Sequence, residues 1–107
     1  MKLESMTNQR LNEAFDIEVA GKPPPLKGFV RMYPVMDYCG DLNALRPFIE
    51  ACSRSKFIWT GTEWWVDLDA PTFGDAVDKT LGRAFVIARL SAKRAEVSNP
   101  VAGVKKT

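Results

Sequence analysis

A two-residue turn limits this chain more than any other feature. Gly61-Thr62 separates two β-prone runs, Phe57-Ile58-Trp59-Thr60 and Glu63-Trp64-Trp65-Val66-Asp67-Leu68. Glycine stands first in the turn, where a type II′ hairpin needs a positive φ. The pattern predicts an antiparallel hairpin. On its first strand Phe57 and Trp59 point away from Ile58; on its second, Trp64, Val66 and Leu68 oppose Trp65. A sheet with one wet face alternates apolar with polar residues, but here both faces carry large apolar groups. The expectation is a sheet covered on both sides near Ile58 and Trp65.

Three helices are expected around this ribbon. Asn8 caps the first, which runs to about Val19 with Leu11, Ala14, Phe15 and Val19 on one face. The second opens at Asp41 or Asn43 and ends near Ser53. Pro47 favours the later start, because a missing N–H costs nothing in a first turn. The third and longest runs from Thr72, paired with Asp75 in a capping-box-like arrangement, to about Glu96. Pro23, Pro24 and Pro25 make a stiff connector after the first helix, and residues 29–33 read as an edge strand or short extended segment that Pro34 cuts short. The predicted class is α+β: a small α-β-α sandwich of three helices around a short, mostly antiparallel sheet with the Trp-rich hairpin. A single domain is expected over 6–96. Met6 offers an alternative start, so the first five residues are left outside the fold, and 97–107 reads as a flexible basic tail.

The chemistry-bearing residues are sparse. Histidine is absent, which removes the commonest general base and metal ligand. Cys39 and Cys52 flank a predicted helix of about 10 residues, which holds them roughly 15 Å apart. A disulfide needs Cα atoms within about 7 Å, so both are expected as buried free thiols. Asp37 with Asp41, and Asp67 with Asp69, could act as acid and base or hold a hard cation, but a turn, a cap and a strand end account for them. No catalytic residue, metal site or cofactor is expected. No apolar run reaches the length of a membrane span and no secretory leader is visible, so the expected location is the cytoplasm.

Surface candidates fall into two sets. For binding protein, Arg31, Tyr33, Tyr38 and Trp65 are the expected anchors, with Glu63, Trp65 and Asp67 forming an acidic stripe around one ring. For binding nucleic acid, Arg83, Arg89, Lys93 and Arg94, joined by Lys105 and Lys106, could line the last helix and tail. With 15 basic against 13 acidic residues, the net charge of +2 is a small excess for phosphate tracking, and a solvated face explains the stripe.

The segments TNQRLNEAFDIEVAGK, PVMDYCGDLNALRPFIEA and TFGDAVDKTLGRAFVIARL, with the Trp-rich hairpin between the last two, resemble the phage α-β-α sandwich domain family. They are also similar to phage NinX-like accessory proteins. The resemblance covers about residues 6–92 and brings no catalytic residues. It implies a small phage or prophage accessory protein that binds a host protein or complex, such as a CRISPR or other antiviral defence component. The rival readings are a nucleic-acid-binding accessory protein and a homo-oligomeric phage assembly component.

Overall fold

The computed structural model describes residues 2–22, 35–52, 54–69 and 73–98, with side chains up to residue 95. The expected edge strand at 29–33, the proline connector and residues 99–107 lie outside the described residues. Within them the fold is α+β, with three helices and a three-stranded antiparallel sheet, as expected.

Helix α1 (Asn8–Glu18) starts one residue earlier than expected, because Thr7 rather than Asn8 caps it: its side chain accepts from Arg10 N at 3.2 Å. Leu11 and Phe15 are fully buried on its inner face. Helix α2 (Leu42–Glu50) opens at Asp41, whose carboxylate accepts from Asn43 N at 3.0 Å. This is the earlier of the two expected starts, and Pro47 consequently sits inside the helix. The cap outweighs the one backbone bond that Pro47 deletes. Phe48 packs edge-on against Phe15 with ring centroids 4.9 Å apart, which locks α2 to α1.

Strands β1 (Ser55–Trp59) and β2 (Trp64–Leu68) form the predicted hairpin. Thr60 N donates to Glu63 O at 2.9 Å, and Gly61 takes a φ of +104°.

The expected long helix from Thr72 is corrected. Its first part is a strand, β3 (Gly74–Asp78), paired antiparallel with β2, and helix α3 begins only at Leu81 and runs to Ser98. Asp78 makes the junction: its carboxylate accepts from Thr80 N at 3.2 Å and from Arg83 Nε at 3.0 Å. Gly74 suits the strand, because a Cβ there would lie 2.7 Å from the backbone oxygen of Ala88. Bare backbone lets β3 close onto α3.

The layer order also departs from expectation. Helix α3 packs on β2 and β3 on one side and on α1 on the other. Ala84, Phe85, Val86, Ile87 and Ala88 are consecutive and all buried, as befits a helix enclosed around its girth. The sheet is covered on the face that carries Val66, Leu68 and Ala76. Ile58 and Trp65, expected beneath a second layer, are 40% and 39% exposed, and no described helix lies over them. Helix α1 stacks on α3 instead, and α2 packs on α1 through Phe48.

Residues 3–5, left outside the expected domain, belong to the fold. They form a 3₁₀ turn (Leu3–Ser5) with Leu3 buried. Arg83 holds this segment, donating from Nη2 to the carbonyls of Glu4 and Met6 at 2.9 and 2.8 Å and from Nη1 to Asn8 Oδ1 at 2.7 Å.

Candidate functional site

Strand alternation and register together build the outer face of the sheet. Lys56 and Ile58 from β1, Trp65 and Asp67 from β2, and Asp75 and Val77 from β3 all point away from α3. Register sorts them into two cross-strand rows. Ile58, Trp65 and Val77 make an apolar row, with Val77 46% exposed; Lys56, Asp67 and Asp75 make a charged row beside it. Phe73, just before β3, is exposed near the charged end. Among the described residues neither Lys56 nor Asp75 makes an ion pair. The face offers water an aromatic centre between two β-branched residues, with charge of both signs alongside.

The expected protein-binding residues distribute unevenly. Trp65 and Asp67 stand together on this face, and Glu63 precedes them at the turn, half-buried. Tyr38 is corrected: it is 1% exposed and its hydroxyl donates to Asp16 Oδ1 at 2.7 Å, so it anchors the core and offers a partner nothing. Arg31 and Tyr33 lie outside the described residues. Sequence reasoning missed Asp75 and Val77 as members of the site, since only the register of β3 brings them beside Trp65 and Asp67, and it passed over Lys56, which the hairpin register sets opposite Asp67. The alternation of Phe73, Asp75 and Val77 with Gly74, Ala76 and Asp78 was the available signal.

The basic stripe is largely committed to the fold. Arg83 ties the N-terminal segment to Asp78, and Arg94 forms a fork onto Glu18, Nε to Oε1 at 3.0 Å and Nη2 to Oε2 at 2.9 Å. Pairing with Glu18 raises the Arg94 pKa further. Arg89 and Lys93 are half-buried, and Lys105 and Lys106 lie outside the described residues. Two of the four candidate cations thus already hold carboxylates.

The carboxylate pair Asp37 and Asp41 is similarly employed. Asp37 Oδ1 accepts from Asn12 Nδ2 and from Gly40 N, both at 3.1 Å, while Asp41 caps α2. An open cleft lined by Asn8, Gln9, Asn12, Glu13, Val35 and Asp37 lies beside this turn, with its central amide and carboxylate bonded to each other. Cys39 and Cys52 are buried free thiols, and burial pushes the Cys39 pKa up to about 11, with Asp37 and Asp78 adding to the rise and Arg83 opposing it. Among the described residues no three His, Cys, Asp or Glu are grouped to hold a metal ion, and no helix is long and apolar enough to cross a membrane.

No family model, curated protein or solved structure matches the chain. The likeness to the phage sandwich family therefore rests on the quoted segments alone, and residue roles rest on the geometry of the outer face.

Proposed function

We propose that this chain is a non-catalytic protein-binding module whose working surface is the outer face of its sheet. The observation that carries the reading is the row Ile58–Trp65–Val77, three large apolar side chains in register, each 39 to 46% exposed. Leaving apolar surface in water forgoes roughly 25 cal/mol for every Å² that a partner could cover, and contiguous exposed patches mark interaction sites. Tryptophan is among the residues enriched at interface hot spots, where it buries a large contact area. Asp37, Asp41, Asp78 and Glu18 each hold a structural partner, which supports a binding role over catalysis. A phage origin and a host-defence target draw support from the sequence resemblance only. The engagement of Arg83 and Arg94 weighs against the nucleic-acid alternative.

The test is chemical cross-linking and affinity capture with the wild-type chain and Trp65→Lys, each checked for an unchanged far-UV spectrum. The reading expects a captured set, counting further copies of the chain itself, that is lost in the variant. Identical sets from both proteins would overturn it.

A further inference from the structure

The outer face is complementary to itself. Face-to-face packing of two sheets with strands aligned within about 30° is the common geometry of β-sandwiches, at a separation of about 10 Å. A two-fold axis lying along β2 between two copies would place β1 of one over β3 of the other and β2 over β2. With the pairs Ile58↔Trp65↔Val77 and Lys56↔Asp67↔Asp75 each in one row, that operation sets Ile58 against the partner's Val77 and Trp65 against the partner's Trp65 on the axis. It also sets Lys56 against the partner's Asp75, twice by symmetry. Both residues are exposed and make no ion pair among the described residues. Turning the axis across the strands through Trp65 would lay the charged row over the turn end of the sheet, bringing Asp67 against Glu63, Asp75 toward Lys79 and Lys56 against Thr60, so that Lys56 would face no carboxylate. A net charge of +2 opposes self-association only weakly.

We propose that the occupant of this face is a second copy of the chain, packed sheet to sheet about a two-fold axis along β2 with Lys56 paired to the partner's Asp75. The inference rests on the reading of the outer face as the working surface and names its partner. Three strands about 4.8 Å apart and five residues rising about 3.4 Å each give a face of roughly 240 Å² before side chains are counted. A standard stable interface covers about 800 Å² on each partner. The dimer is accordingly weak, and the Asp67 and Glu63 carboxylates, each meeting its own copy near the axis along β2, weaken it further.

Sedimentation velocity on the full chain, from about 10 μM to about 1 mM, reads the association directly, over the range expected for an interface below standard size. The sedimentation coefficient is expected to rise with concentration toward that of a dimer. Lys56→Glu and Asp75→Lys, both at exposed positions, should each lower the association constant about tenfold or more by facing like charges. The double swap K56E/D75K should restore it to within about threefold, and Asp67→Asn should strengthen it, since removing facing like charges removes their repulsion. A monomer at every concentration overturns the dimer. If capture of another protein still depends on Trp65, the working-surface reading survives that result; if nothing depends on Trp65, both fall. Association that ignores Trp65→Lys, or a double swap that restores nothing, equally overturns the arrangement.

Discussion

The hydroxyl of Tyr38 donates to Oδ1 of Asp16 across 2.7 Å, with Tyr38 1% and Asp16 0% exposed. Lys22 Nζ approaches the same oxygen at 3.4 Å from the rim. A buried carboxylate loses its hydration, so each donor supplied by the fold matters more than it would in water. Tyr38→Phe keeps the ring contact with Phe15, 4.6 Å between centroids, and removes the hydroxyl alone. The variant should lose about 1.5–3 kcal/mol, the usual worth of a hydrogen bond to a charged group, measured by urea unfolding with an unchanged m-value.

Arg83 joins four points of the chain: Asp78, Asn8 and the carbonyls of Glu4 and Met6. Arg83→Ala should cost about 2–3 kcal/mol, because a partly buried carboxylate and two carbonyls lose their donor together. Hydrogen exchange should quicken at residues 3–6 before it does in β2. Arg83→Lys should recover only part of the loss, since an ammonium cannot reproduce the guanidinium fork.

Gly74 faces the backbone of α3, and an added Cβ would meet Ala88 O at 2.7 Å and Ala92 Cβ at 3.1 Å. Gly74→Ala must push β3 away from the helix, at a cost of about 1–3 kcal/mol. Were the segment helical from Thr72, the same change would stabilise by up to about 1 kcal/mol. Thermal melting of this one variant gives opposite signs for the two structures.

Cys39 carries a thiol whose pKa burial raises from 9.0 to about 11. The unfolded chain ionises that thiol at the lower value, so protons leave the unfolded state first as pH rises. Stability from this group is whole below pH 9 and is lost progressively between pH 9 and about 11. Urea midpoints across that range should fall less steeply in Cys39→Ala, and the native thiol should alkylate slowly at pH 8.

The hairpin was legible because its chemistry is local: glycine at the position that demands positive φ, between two runs with strand composition. The strand at Gly74–Asp78 was hidden, since glycine and aspartate are poor strand formers and Thr72 with Asp75 imitates a helix start. Tertiary pairing with the second edge of β2 outweighs those propensities. Losing β3 also hid a third of the candidate site, because Asp75 and Val77 join Trp65 only through its register. Apolar character on both faces of β2 was read correctly as a pattern and wrongly as a covered sheet; a pattern says which side chains are apolar, while the layer order decides what lies over them. Tyr38 looked like a surface aromatic because its buried acceptor, Asp16, stands 22 residues away in the chain.

Helix α3 lies between the sheet and α1, yet its residues are made after every other described element. Until it emerges during synthesis, neither the ribbon nor α1 has its principal apolar surface to condense upon. Assembly of the body should therefore await translation of residues 81–95 and then proceed in one step, leaving a fragment that stops at residue 80 as an open, protease-sensitive chain.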